Sequence, residues 1–317
     1  MLCLIVIRPE TRAPFALAGV SQVHHCPSAR WRRTGGARAL ELIDTHVHLA
    51  DHRFVPDFFE VLSRARAAGV VQLVCVGYDI GSSTEAISLA ATYPNIHAAV
   101  GIHPNRSSEL VPGAMSELEQ LSQSNRVVAI GECGLDYFRS DASPAVQRAA
   151  FIAQLRLADT RGLPVIVHSR DAMSETLELL EEFSPGRHGV LHCFDGTVAD
   201  ALRAVALGFW ISAAGQVTYR RDRTLADALA SVPADRLVIE TDCPYLSPAG
   251  HRGERNEPSR VLLVATAVAK IRGCSVEELA AQTTANARRL FGLATTRTHP
   301  NLERRLSSEK AVGGLDQ

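Results

Sequence analysis

Six short segments end an apolar run with a residue able to bind a metal or carry a proton. They are Asp44-Thr45-His46-Val47-His48, Gly101-Ile102-His103-Pro104, Gly131-Glu132-Cys133-Gly134-Leu135-Asp136, Val167-His168-Ser169-Arg170, Leu191-His192-Cys193-Phe194 and Glu240-Thr241-Asp242-Cys243-Pro244. Imidazoles and carboxylates spread over strand ends are the one-dimensional image of a metal centre assembled at one face of a parallel barrel. His46 and His48 are separated by one residue, so on an extended strand both rings face one side and can share a cation. Asp44 is expected to hold a ring N–H of this pair. Glu132 lies beside an apolar run, where an anion needs compensation, and its two oxygens could bridge two cations as an imidazole cannot. His168 and His192 terminate later runs and would enter the same mouth. Asp242 closes the set, as a ligand that could also accept the proton of an attacking water. Nitrogen and oxygen donors suit divalent cations such as Zn, Mn or Mg, among which the sequence does not choose.

The elements that must position these groups alternate in type. Apolar β-like runs fall at 41–44, 71–76, 96–100, 127–130, 164–167, 189–191, 209–211 and 237–239, and helix-periodic stretches at 56–68, 145–161, 172–183, 198–207, 224–231, 258–271 and 276–290. Eight strands with crossover helices predict an α/β fold of the (β/α)8 TIM-barrel type, whose C-terminal strand ends all reach one face. A doubly wound open sheet would need a glycine-rich phosphate loop after a strand, and none is present. Ser143-Pro144 reads as a helix start and Arg161-Gly162 as a stop.

Composition narrows the class further. With 317 residues and 46% hydrophobic content the chain can form one large core, expected over 41–293. A net charge of -1 excludes a non-specific nucleic-acid coat, because any such contact must rest on local arginines. Seven cysteines without a C-x-x-C pair indicate neither a zinc knuckle nor a disulfide framework, and fit a cytoplasmic setting. Those following Glu132, His192 and Asp242 should point away from their neighbours' site if the chain is extended there. No apolar run approaches the roughly 18 residues of a membrane span. Residues 1–40 are Arg-rich, with charge following rather than preceding their apolar start, which is the wrong order for a signal peptide. They are expected to be a disordered extension or to precede the true start, and 294–317 to be a loose tail.

Taken in order from about Leu40 to Leu293, these motifs resemble the TatD family of metal-dependent deoxyribonucleases, as does Arg252-Gly253-Glu254-Arg255-Asn256-Glu257-Pro258 after the last strand. The resemblance implies an amidohydrolase-type TIM barrel with a two-metal centre. His46, His48, Glu132, His168, His192 and Asp242 would be the ligands, with Glu132 bridging. It also implies that His103, Arg255 and Asn256 lie near the substrate phosphate. Asp195 departs from the small, serine-like residue of the pattern. The expected activity is two-metal hydrolysis of DNA phosphodiesters, at ends or in single strands, with DNA a transient partner, Asp242 as base and no membrane partner. A carboxyl ester, amide or aminoacyl-tRNA hydrolase on the same centre is the alternative. A non-enzymatic scaffold would be marked by lost ligands, and none is missing. The sequence is silent on oligomeric state.

Overall fold

Alternating apolar runs and helical stretches become eight parallel strands, paired in sequence order around one sheet. A computed structural model describes residues 40–295, apart from 110–111, 140–141, 185 and 220–222. The strands are β1 Leu42–Val47, β2 Val70–Val76, β3 Ile96–Val100, β4 Val127–Asp136, β5 Val165–Arg170, β6 Gly189–Leu191, β7 Trp210–Ala213 and β8 Leu237–Ile239. The helices among the described residues are α1 Phe58–Ala67, α2 Ile80–Thr92, α3 Pro112–Leu121, α4 Pro144–Arg161, α5 Met173–Phe183, α6 Val198–Ala206, α7 Thr224–Ser231, α8 Val261–Arg272 and α9 Val276–Phe291. This is the TIM barrel that the strand count predicts. The expected extension at 1–40 and tail at 294–317 lie outside the described residues, apart from residues 40, 294 and 295.

Two apolar layers follow from the period-two alternation of each strand. Ile43, Val74, Val76, Ala99, Ala129, Ile166, Val190 and Val238 form one cluster, joined by Ala287, Leu290 and Phe291 of α9. The alternate residues, such as Leu42, Leu73, Cys75, Val167 and Ile211, pack with Val61, Ala86, Phe151, Leu177 and Val264 of the surrounding helices. The first cluster is the barrel interior, and α9 adds to it from outside the sheet. That helix is fixed by reciprocal capping between Ser275 and Glu278, and Gly292, with φ of 64°, ends it.

The seam between β8 and β1 is sealed chiefly by polar bonds. His48 N donates to Cys243 O at 2.8 Å and Asp242 N to His46 O at 2.9 Å. Thr45 Oγ1 donates to Ile239 O at 3.0 Å, and Thr241 donates both its N–H and its hydroxyl to Asp44, at 2.9 and 2.6 Å. These bonds set residue 242 beside residues 46 and 48.

β1, β4, β5 and β7 run further than the apolar runs predict, β1 to Val47 and β7 to Ala213. β4 continues from Ile130 to Asp136, and β5 from Val167 to Arg170, with Gly134 beside His168 and Asp136 beside Arg170. Glu132 and His168 therefore lie within strands, as does His46, rather than beyond strand ends. Gly134 permits this close pairing: its φ is 142°, and a Cβ there would overlap the His168 carbonyl oxygen. Helices α2 and α3 were not among the predicted stretches. The buried face of α2 is Ser82, Ser83, Ala86 and Ala90, too small and polar to show an apolar stripe.

Candidate metal centre

Glu132 stands at the middle of the barrel mouth, almost fully buried, and its two oxygens face different groups of donors. Oε2 lies 3.4 Å from His46 Nε2 and 3.7 Å from His48 Nε2. The two Nε2 atoms are 3.2 Å apart, and Asp242 Oδ1 lies 3.7 and 3.3 Å from them. A tetrahedral ion with bonds of about 2.0–2.1 Å requires donor separations of about 3.3–3.4 Å. The recorded separations cluster around that value, so His46, His48, Glu132 and Asp242 could hold one cation.

Oε1 faces the other side. It is 2.8 Å from His168 Nδ1, 2.9 Å from His192 Nε2 and 3.4 Å from His103 Nε2, with the first two nitrogens 3.3 Å apart. Among the described residues, the groups close enough for an ion are His46, His48 and Asp242, then His46, Glu132 and His192, then His103, Glu132 and His168, so Glu132 belongs to two of them. The structure thus brings together His46, His48, Glu132, His168, His192 and Asp242, with His103 at their edge.

The surrounding bonds orient the rings. His48 Nδ1 faces Val76 O at 2.9 Å, which makes it the protonated nitrogen and leaves the Nε2 lone pair toward the cluster. His192 Nδ1 faces Glu240 Oε1 at 3.2 Å; Glu240 also accepts from Cys193 N and from Ser212 Oγ, each at 2.6 Å. His168 Nε2 faces Asp136 Oδ2 at 3.2 Å. Glu240 and Asp136 are supporting residues to which the sequence reading gave no role. Their signal was the even spacing, Glu132 to Asp136 and Glu240 to Asp242.

Asp44 does not hold a histidine ring as expected. Its carboxyl group takes the Thr241 bonds at the seam, and His46 Nδ1 is buried without a hydrogen-bond partner. The reason is register: Asp44 faces the β8 edge, whose N–H groups need an acceptor. Burial pushes the Asp44 carboxyl well above the usual carboxylate range.

Charges in the centre are strongly coupled. Burial alone would raise Glu132, yet His192, His103 and His46 hold it well below the usual range. Burial would lower His192, but Glu132 and Glu240 turn its shift well upward. Burial also opposes the charged form of Asp242, which His48 and His46 nevertheless keep low. His46 is lowered by burial and by His192. A cation at either set would displace the protons that these imidazoles otherwise share with the carboxylates.

Cys133 and Cys243 pack in the buried core, as expected of small apolar residues. Cys193 differs. The chain is not extended there, with φ of 45°, and the thiol faces the cavity, where Gln216 Nε2 approaches it at 3.2 Å. Arg255 and Asn256, expected near the substrate, do not line that cavity. The Arg255 fork is occupied by Asp57 at 2.6 and 2.7 Å and by Arg53 O at 2.6 Å. Asn256 is fully buried and donates to Thr241 O and Tyr245 O at 2.9 and 2.7 Å, clamping the turn that carries Asp242.

The cavity above the cluster is about 600 Å³, and His48, His103, Glu132, His168, His192 and Asp242 reach it. Residues 43–292 match the model of the TatD related DNase family. The chain belongs to this family. It is 39% identical to the metal-dependent hydrolase YabD of Bacillus subtilis over 251 residues, 79% of this chain and 98% of the relative. It is also 39% identical to the 3'-5' ssDNA/RNA exonuclease TatD of Klebsiella pneumoniae over 260 residues, 80% and 98% of the two chains. Among solved structures, the TatD homologue YJJV of Escherichia coli K12 superposes with a TM-score of 0.77 at 31% identity, over 81% of this chain and 100% of the other. Among the described residues, no helix is long and apolar enough to cross a membrane.

Proposed function

We propose that this TatD family member hydrolyses phosphodiester bonds at the ends of single-stranded DNA or RNA, using two divalent cations that share Glu132. The observation that carries this reading is the division of the Glu132 oxygens between two donor sets, 3.4 Å from His46 on one side and 2.8 Å from His168 on the other. Relatives named as 3'-5' ssDNA/RNA exonucleases support the substrate class and the exonuclease mode. Cations of this kind, when bound, polarise the phosphate and make an attacking water more acidic.

The chain's own residues do the rest. His46, His48 and Asp242 would hold one cation and His168 and His192 the other, with Glu132 able to serve both. Asp242, at the cavity floor, accepts the proton of the attacking water. His103 stays neutral, because burial pushes it down to about 3. Its Nδ1 accepts from Asn105 N at 3.0 Å, so the ring proton sits on Nε2, facing the cluster, where it can donate to a phosphate oxygen. Arg255 and Asn256 enter as positioning residues for the β8 turn. The free thiols at Cys75, Cys133, Cys193, Cys243 and Cys274 suit a cytoplasmic setting.

The test is digestion of end-labelled single- and double-stranded DNA and RNA with Mg, Mn, Zn or a chelator, alongside Glu132→Ala. A metal-dependent ladder that the variant abolishes is expected, and its order gives the polarity. Folded, metal-loaded protein that cleaves carboxyl esters but no phosphodiester would overturn the reading.

A further inference from the structure

Phe138 is 58% exposed, an apolar ring next to two arginines that line the cavity. The Arg170 guanidinium lies 4.1 Å from the ring centroid and that of Arg139 5.9 Å. Both arginines line the cavity, and neither forms an ion pair among the described residues. The backbone beneath the ring is firmly held. Asp136 Oδ1 accepts from Phe138 N and from Arg139 N, both at 2.9 Å, while Oδ2 of the same carboxylate faces His168 at 3.2 Å. Tyr137 N donates to Arg170 O at 2.9 Å, and Gln147 accepts from Asp136 N at 2.8 Å. One carboxylate therefore fixes both an exposed aromatic ring and a histidine of the centre.

We infer that Phe138, backed by Arg170 and flanked by Arg139, is a stacking platform for a nucleobase next to the scissile phosphate. This rests on the proposed nuclease activity and adds to it a residue that selects the strand. An aromatic face stacks on any base, and arginines beside it neutralise the adjoining phosphates. A base inside a duplex already has neighbours on both faces, and one at a duplex end brings its paired partner to the platform with it, so an unpaired strand places a base on Phe138 most readily. Stacking does not read the 2'-hydroxyl, so single-stranded DNA and RNA should depend on the ring alike. The rigid 136–139 segment sets the base at a fixed distance from the centre. Tyr245 is also exposed and lines the cavity, but its ring meets His48 at 5.8 Å, so its replacement would disturb the centre itself.

The test compares wild type, Phe138→Ala and Phe138→Trp in the full chain, on single-stranded oligonucleotides that are intact or carry an abasic residue at successive positions. Phe138→Ala should raise KM for intact DNA and RNA about 5- to 100-fold, and Phe138→Trp should restore it. At one abasic position wild type should bind as weakly as the alanine variant, which should lose nothing more there. A readout without turnover is the fluorescence of Phe138→Trp in chelator, which should be quenched by intact strand and not by the strand abasic at that position. Unchanged KM in Phe138→Ala, or equal loss on intact and abasic strands, would overturn the platform while leaving the nuclease reading intact. Failure of wild type to hydrolyse even bis-p-nitrophenyl phosphate would instead remove the nuclease reading and the platform with it.

Discussion

Replacing Glu240 with glutamine should weaken cation binding about 10- to 100-fold without unfolding the barrel. The side chain accepts from Cys193 N and Ser212 Oγ at 2.6 Å each and faces His192 Nδ1 at 3.2 Å. Glutamine has nearly the same shape. Its oxygen can serve Cys193 and His192, and its amide can donate to the Ser212 hydroxyl, which accepts after rotating. The hydrogen bonds survive, and the loss is the negative charge that supports the His192 ring proton and makes Nε2 a better donor to a cation. The expected weakening corresponds to about 1.4–2.8 kcal/mol. Alanine at the same position would leave the Cys193, Ser212 and His192 donors without an acceptor, at about 1–3 kcal/mol each, and should act mainly through stability. The assay is competition for the cation against a chelating dye, with the Tm of each metal-free protein measured in parallel. Unchanged affinity in Glu240→Gln, or a Tm loss as large as that of the alanine variant, would refute the reasoning.

Glu132→Gln should abolish retention of cation through gel filtration, read as metal per chain by mass spectrometry; full retention would remove Glu132 from both donor sets. Asn256→Ala strips the donor from two carbonyls at the β8 turn and should cost about 2–4 kcal/mol in urea unfolding of the metal-free protein. An effect on substrate KM alone would return Asn256 to a substrate role. Gly134→Ala should lower Tm by more than a positive-φ penalty of about 1 kcal/mol alone would, because its Cβ meets the His168 carbonyl. His97 is pushed down to about 4 by burial and by Arg126. The unfolded chain takes that proton near pH 6.5, as the free side chain does, so stability should decline as pH falls from about 6.5 to about 4 and level off below. His97→Gln should remove this part of the slope, and identical pH profiles for wild type and variant in denaturant unfolding would contradict the shift.

The barrel was legible because its strands are buried on both faces and read as continuous apolar runs. β3, β6 and β8 fall where those runs lie, whereas β4 and β5 extend through polar and glycine residues that no apolar pattern marks. Helix α2 escaped because it buries serine and alanine, and is started by reciprocal capping between Asp79 and Ser82. The reading of Cys193 went astray for a similar reason, since strand alternation stops at Leu191 and the next residues turn.

The sequence alone determined the chemistry of the centre, because a metal ligand is chosen by its atom type, and histidines and carboxylates at the ends of apolar runs can be seen without coordinates. It could not assign the second layer or the loops. Asp44 and Asn256 are polar residues beside the motifs, and only the closing of β8 on β1 decides that they satisfy backbone and threonine groups at the seam rather than a ring or a phosphate. Tertiary structure also divided the Glu132 oxygens between two sets of donors, since that depends on distances across the barrel between Glu132 and histidines on other strands and loops, as far off in the chain as His46. Hydrogen bonds of that kind join groups by geometry, and geometry between distant residues is set by the fold as a whole.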